Sequence, residues 1–284
     1  MVDKISDEVR KQLDEMRQWA SQQPLIPKDI EDRILFRFLH SCYYNLDKAK
    51  TAAELFFSIR SSTPDLFTNR DPMLPPMQKI LQIVSLAQYT ISNNKMIWIW
   101  QLNDPGLERY DYVQDAKLFM LSSDAWLLSN DVMEEGDIVI LDVKDITLKM
   151  ITKLNLSVAK KLSKYQEEAI PIRLEQIHVV NAPPVIDKVY AIMKPFLKQE
   201  ITNMIRFHTP NSTTLYDFIS KDDLPADYGG NRDKMEVYHK KTLDMIMGNR
   251  KHFLNDNLWR VEKKSKNKTE SSTEIGSFRT LSID

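Results

Sequence analysis

The side chains that most often bind metals or catalyse reactions are scattered through this sequence. The five histidines are His40, His178, His208, His239 and His252. Their positions do not show the short spacing of metal ligands. The one cysteine, Cys42, excludes an intramolecular disulfide and a cysteine-based metal site. We therefore predict no bound metal.

Three residues invite a catalytic interpretation. Cys42 follows His40 by two positions, and side chains two apart on a helix face apart, so a structural cysteine is favoured. Asp142 lies between apolar strand residues without a second acid or base nearby, which favours a hydrogen-bonding group at a strand end. His178 falls in a predicted buried strand and is interpreted as a core histidine. Since no nucleophile elbow or triad order is visible, we predict that the protein is not an enzyme.

Glycine usage and net charge exclude further classes. The chain of 284 residues has 6 glycines, two of them the adjacent pair Gly229 and Gly230. Phosphate-binding loops need clustered glycines, and neither the P-loop nor the dinucleotide motif is present. The formal net charge of −1 argues against a nucleic-acid partner. We predict no cofactor and no nucleic acid.

Helical periodicity dominates the start of the chain. Apolar residues three and four apart predict helices from Ser6 to Ala20, from about Pro27, and from about Asn45 to Pro64. A proline-rich connector follows at 71–76. The N-terminus lacks an apolar signal core, and no stretch approaches the length of a membrane span. We predict a small helical domain over residues 1–75.

Strands and helices alternate in the middle of the chain. Strands are predicted at 95–102, 136–143, 176–181 and about 206–208, with helices at 113–133 and 157–168 between them. This alternation predicts an α/β domain with a mostly parallel sheet over residues 76–250. A polar tail is expected over 251–284, with a lysine-rich run at 263–268 and a more apolar end at 276–284.

One predicted helix has too much apolar surface for a solvated position. It runs from Val185 to Ile205, with Pro195 as a kink. A broad apolar face of this kind suggests contact with something besides water. Trp98 and Trp100 share one face of a predicted strand, and we favour core packing for both over contact with a ligand.

Four segments in order resemble the CRAL-TRIO lipid-transfer family, most closely its alpha-tocopherol transfer protein-like branch of invertebrate type. They are 31–39 with 45–49, 157–161, 171–183 with 194–197, and 224–230. The resemblance implies an N-terminal helical bundle followed by a CRAL-TRIO domain. In that domain a mostly parallel sheet is the floor of an apolar pocket, and a mobile helical lid covers it.

The resemblance also implies a function. We expect an intracellular carrier that transfers a small hydrophobic lipid, such as a tocopherol, retinoid or carotenoid, between membranes. It would be a cytoplasmic monomer that associates transiently with membrane surfaces. A phospholipid or phosphoinositide exchanger and a non-catalytic lipid-sensing scaffold remain alternatives.

Pocket residues follow from the same resemblance. The expected wall residues are Ala116, Phe119, Ser123, Val139, Leu141, Leu154, Ile172, Leu174 and Ile177, joined by Val189, Met193 and Leu197 from the lid. Ser123 is the expected polar contact for a ligand hydroxyl or a bound water. Phe196, Leu197 and Ile201 are expected to meet the membrane when the lid opens.

Phosphoinositide recognition is expected to be weak or absent. The positions that match the family's basic patch are Arg173, Glu175, Glu200 and Met204. Only Arg173 is cationic, and a phosphate needs several converging cationic donors. A displaced patch of Lys194, Lys198 and Arg206 remains an alternative.

Overall fold

The computed structural model describes residues 6–261. The predictions for the lysine-rich run and the apolar end of the tail fall outside these residues. The N-terminal part contains α1 (Asp7–Gln22), α2 (Asp32–Ser41), α3 (Leu46–Ser62), α4 (Pro64–Phe67) and α5 (Pro75–Leu81). Side-chain oxygens cap the first and third helices, since Ser6 accepts from the Val9 N–H and Asn45 from the Lys48 N–H. The expected helical bundle is present.

The sheet has the order β1-β2-β3-β4-β5. Its strands are β1 (Val84–Thr90), β2 (Lys95–Leu102), β3 (Gly136–Asp142), β4 (Leu174–Val180) and β5 (Ile205–Phe207). The first two strands are antiparallel, and every later neighbour is parallel. The mostly parallel sheet is confirmed, whereas β1 was not anticipated from the sequence.

Helices cover the sheet and complete the chain. They are α6 (Tyr112–Ser129), α7 (Lys149–Lys153), α8 (Leu156–Glu168), α9 (Ile186–Met193), α10 (Gln199–Met204), α11 (Met235–Gly248) and α12 (Arg250–Phe253). Short 3-10 turns lie at Lys194–Phe196, Thr214–Asp217, Lys221–Asp223, Ala226–Tyr228 and Asp256–Leu258. Among the described residues, no helix is long and apolar enough to cross a membrane.

The two faces of the sheet meet different surroundings. Side chains alternate between faces along a strand, so Ile97 and Ile99 of β2 pack in one apolar cluster with Met235 and Tyr238 of α11. Trp98 of β2 faces the opposite way, into the larger core shared with the N-terminal helices. The second face therefore looks toward α6 and the lid.

The predicted helix from 185 to 205 is wrong in its continuity. It divides into α9, the turn at Lys194–Phe196 and α10, and Ile205 already belongs to β5. Pro195 has no backbone N–H to continue the helical ladder, and Leu197 is extended, with φ −100° and ψ 138°. We call the segment 185–204 the lid. It is two short helices joined at a proline turn.

A fully buried ionic cluster joins the N-terminal helices to the α/β domain. Asp124 of α6 accepts two hydrogen bonds from Arg60 of α3, at 2.9 and 2.5 Å, and pairs with Arg70 as well. Arg60 also donates to the hydroxyl of Tyr165 on α8. The Trp259 ring lies 4.9 Å from the guanidinium of Arg60 and 5.2 Å from that of Arg70. Its π face stabilises the excess positive charge.

Removal of the central carboxylate is expected to destabilise the protein strongly. Asp124→Ala leaves two buried guanidinium groups without a counter-charge, which costs about 3–5 kcal/mol, a large part of a typical folding free energy. Urea denaturation should show this loss. Asp131→Ala is the control, since its pair with Arg33 is exposed and is worth less than about 1 kcal/mol. Equal midpoints for the two variants would contradict the assignment.

Candidate functional site

A largely apolar cavity of about 400 Å³, partly open to the surface, lies between the sheet, α6, α8 and the lid. Its floor consists of two rows of residues that the strand register aligns across the sheet. These rows are Gln88–Trp98–Val139–Ile177–Ile205 and Leu86–Trp100–Leu141–Val179–Phe207. All ten residues line the cavity. Pairing in register, antiparallel between β1 and β2 and parallel beyond, therefore builds one continuous, largely apolar floor.

Most of the predicted pocket residues line this cavity. They are Ala116, Phe119, Val139, Leu141, Leu154, Ile172, Leu174, Ile177, Val189, Met193 and Leu197. Ile201 of the lid also lines it, whereas Phe196 is not among the wall residues and is partly exposed on the lid. The structure thus brings together nearly the whole predicted set.

Ser123 is an exception, and the prediction that it presents a hydroxyl to the cavity is wrong. Its side chain is buried and its hydroxyl donates to the Phe119 carbonyl oxygen at 2.7 Å. Ser122 lies in the cavity wall instead. On α6 the wall residues Phe119 and Ser122 follow Asp115 by four and seven positions, so all three lie on one face of the helix. Ser123 is one position further along, and its side chain therefore points about 100° away from this face.

Both tryptophans of β2 line the cavity, and the core packing that we favoured is also present, since Trp98 packs against Trp126 of α6 and Trp100 packs against the same core. Carboxylates satisfy their indole N–H groups: Trp98 donates to Asp137 at 2.8 Å and Trp100 donates to Asp115 at 2.9 Å. A buried indole needs such an acceptor. These hydrogen bonds orient the rings, so the aromatic part of the floor is held in place.

Asp115 is a charged wall residue that we did not predict from the sequence. Besides Trp100, its carboxylate accepts a hydrogen bond from the Tyr110 hydroxyl at 2.7 Å. Burial raises the pKa of Asp115 to about 6, although these two hydrogen bonds oppose the shift. The sequence could have indicated Asp115 as a wall residue, because it precedes the predicted wall residue Phe119 by four positions and so lies on the same face of α6.

The lid is held by few buried contacts. On α9 only Ile186 and Val189 are buried, and on α10 no residue is. The backbone N–H of Lys198 donates to Glu167 of α8 at 3.2 Å, and its ammonium lies 2.9 Å from Glu168. Segments with so little buried apolar surface open locally at low cost in free energy. The lid can therefore open while the floor stays folded.

The residue expected to recognise phosphoinositide is occupied by intramolecular contacts. The Nε of Arg173 donates to the His40 carbonyl oxygen at 2.8 Å, and its guanidinium lies 4.3 Å from the Tyr43 ring centre. Glu175 forms an ion pair with Lys95. Arg173 thus links the α/β domain to the N-terminal helices.

The displaced basic patch is also partly engaged. Lys198 pairs with Glu168, while Arg206 donates to the Met204 carbonyl oxygen and lies over the Phe218 ring. Lys194 is exposed on the lid turn. These cations do not converge on one point in the way that a phosphate requires.

His178 and Asp142, which were considered as catalytic candidates, make contacts within the fold. His178 is buried in β4 and hydrogen-bonded to His208 at 2.9 Å, and burial lowers its pKa to about 4. Asp142 ends β3 and accepts from Asn181 at 3.1 Å and from Tyr228 at 3.2 Å. Both interpretations are confirmed. Within residues 6–261, no group of three or more metal-binding side chains comes together.

Comparison with family models decides the classification of the chain. Residues 77–230 match the CRAL/TRIO domain, which is more than half of the sequence. The chain belongs to the CRAL/TRIO family. Residues 5–77 match a second model, described as a Pinta-like UBA domain. The CRAL/TRIO match contains the sheet and the lid of the cavity.

Similar proteins agree with this classification. The human "Alpha-tocopherol transfer protein-like" is 23% identical over 214 residues, 75% of this chain and 63% of that protein. Clavesin-2 of Rattus norvegicus is 25% identical over 206 residues, 70% of this chain and 62% of that protein. This chain thus spans less than two thirds of both relatives. The crystal structure of Sfh5 shares the fold, with a TM-score of 0.54, 12% identity, and coverage of 87% of this chain and 98% of that one.

The stability of Asp115→Asn is expected to depend on pH differently from that of the wild type. Asp115 binds its proton more tightly when folded, at a pKa of about 6, than when unfolded, at a pKa of about 4. Its contribution to stability is therefore full below pH 4 and is lost as pH rises through about 6.

Denaturation of both proteins between pH 4 and pH 7.5 measures this difference. The variant should gain up to about 3 kcal/mol relative to the wild type across that range, because Asn does not ionise. A constant difference at all pH values would contradict the burial of a titrating carboxyl group.

Proposed function

We propose that this protein is a non-catalytic carrier that binds one small hydrophobic lipid in the cavity and transfers it between membranes. The observation that supports this is the largely apolar cavity, partly open to the surface, between an ordered floor and a loosely held lid. A tocopherol, a retinoid or a carotenoid is the kind of ligand we have in mind. The carrier would act as a cytoplasmic monomer that meets membrane surfaces transiently.

The energetics of burial favour such a carrier. A lipid that loses about 400 Å² of apolar surface to the cavity gains on the order of 10 kcal/mol, at about 25 cal/mol per Å². Association entropy and ligand ordering reduce this gain. A pre-formed floor keeps that cost small, because Trp98 and Trp100 are already oriented by hydrogen bonds.

Lid opening is the proposed route of exchange. Leu197 and Ile201 line the cavity in the closed state, so an open lid exposes them together with the apolar floor. Phe196 lies beside them on the proline turn. A bilayer supplies an apolar environment for all of these groups, whereas water does not. We therefore propose that Phe196, Leu197 and Ile201 meet the membrane during exchange.

Cavity contents after mild purification test the proposal. Native mass spectrometry of the wild type should show one hydrophobic small molecule bound. A bound phospholipid would support a phospholipid exchanger, and a ligand-free protein would support a lipid-sensing scaffold.

Leu197→Asp places a carboxylate in the cavity wall and should lower both ligand occupancy and transfer between vesicles at least tenfold. Ala191→Asp is the matched control, because Ala191 is exposed on the same lid and lies outside the wall. Full occupancy in a folded Leu197→Asp variant would contradict a ligand in this cavity.

Phosphoinositides in the vesicles should leave the transfer rate unchanged. Arg173 is held by His40 and Tyr43, and Glu175 pairs with Lys95. Transfer between vesicles with and without a phosphoinositide measures the effect. A large acceleration would overturn this expectation, and its loss in Lys198→Ala would assign it to the displaced basic patch.

A further inference from the structure

We propose that Asp115 selects the polar end of the ligand, favouring a lipid with an uncharged hydroxyl and rejecting a lipid with a carboxylate. This inference rests on the proposed function, since it assigns a ligand class to the same cavity. It concerns a residue outside the set that the family resemblance indicated. The argument depends on the hydrogen-bonding capacity, the surroundings and the charge of this carboxyl group.

The carboxyl group of Asp115 has acceptor capacity left for a ligand. Each oxygen accepts one hydrogen bond, Oδ1 from the Trp100 indole and Oδ2 from the Tyr110 hydroxyl. An ionised carboxylate can accept about four. Asp115 lines the cavity and is partly accessible, so a ligand hydroxyl can reach it from inside. A charge-assisted hydrogen bond of this kind is stronger than a neutral one.

The two existing donors hold the group in one orientation. Trp100 belongs to the floor row of the sheet, and Tyr110 is buried in the segment before α6. Neither donor carries a charge, so the negative charge of Asp115 is not neutralised by an ion pair. The ligand therefore meets a fixed, negatively charged acceptor in a mostly apolar wall, whose other carboxylate, Glu167 of α8, accepts from the backbone N–H of Lys198 on the lid.

This electrostatic setting discriminates between lipid head groups. A lipid carboxylate would place a second negative charge beside Asp115, and like charges repel strongly where water is excluded. A lipid ammonium would bring three donors to one carboxylate that is already hydrogen-bonded, and burial of that ion pair has a high desolvation cost. A hydroxyl needs one acceptor and brings no charge.

The selectivity should depend on pH. Burial raises the pKa of Asp115 to about 6, so the group is ionised at pH 7.5 and largely protonated at pH 5. The titratable neighbours are Asp111 at the start of α6 and the phenols of Tyr110 and Tyr112. Both tyrosines stay protonated in this range, because burial raises the pKa of Tyr112 to about 12 and that of Tyr110 further still. Protonation of Asp115 removes the repulsion.

Displacement of Nile red by three lipids of equal chain length tests the inference. Hexadecanol, hexadecanoate and methyl hexadecanoate differ only in the polar end. At pH 7.5 the wild type should bind the alcohol about tenfold to a hundredfold more tightly than the carboxylate, the range expected of one hydrogen bond to a charged group. At pH 5 this ratio should fall toward one. Because the carboxyl group of hexadecanoate also binds protons near this pH, only a fall that is absent from Asp115→Asn is assigned to Asp115.

Two variants separate the charge of Asp115 from other effects. Asp115→Asn keeps the side-chain shape and should show a ratio near one at both pH values. Asp233→Asn changes the net charge equally at an exposed position outside the cavity and should keep the wild-type ratio. If Asp115→Asn does not fold, the wild-type ratio at pH 7.5 and Asp115→Ala, which also removes the charge and should bring the ratio near one, decide the question.

The outcomes distinguish this inference from the proposed function. Equal wild-type affinity for alcohol and carboxylate at pH 7.5, or an unchanged ratio in folded Asp115→Asn, would overturn the role of Asp115 and leave the carrier function standing. Failure of all three lipids to displace the dye, together with a protein purified empty, would overturn the carrier function and this inference with it.

Discussion

The buried contact of Asp124 with Arg60 and Arg70 sets the position of α6, and α6 is the helix that walls the cavity. Asp124 follows Asp115 by nine residues, about two and a half helical turns, so the two side chains leave opposite faces of the helix. One face is thereby anchored to the N-terminal helices, and the other is presented to the cavity. A rotation of α6 would break the buried ion pairs, which is why the wall is rigid.

The lid lacks any comparable anchor. Its contacts with α8 are the hydrogen bond from Lys198 to Glu167 and the partly exposed ion pair with Glu168. The difference in burial between wall and lid separates a part that keeps its shape from a part that can move. A carrier needs both properties, because the cavity must be ready for the ligand and must also open to admit it.

Two aspartates on one helix have different roles because of their surroundings. Asp124 is enclosed by two guanidinium groups, so its charge is neutralised and it contributes to the packing of the domains. Asp115 has only the neutral donors Trp100 and Tyr110, so its charge remains available at the cavity wall. The residue type is the same, and the partners decide whether it stabilises the fold or faces a ligand.

The sequence by itself determined the helical N-terminal part, the strands β2 to β4 and a part of the apolar wall, because these depend on local periodicity and on motifs in order along the chain. Only the tertiary structure decided that Ser122 rather than Ser123 lines the cavity, since one residue on a helix changes the direction by about 100°. It also placed Asp115 beside Trp100 and Tyr110 and engaged Arg173 with His40. These contacts join residues that are separated in the sequence, or they depend on how a helix is oriented when it packs. A local sequence pattern does not specify either.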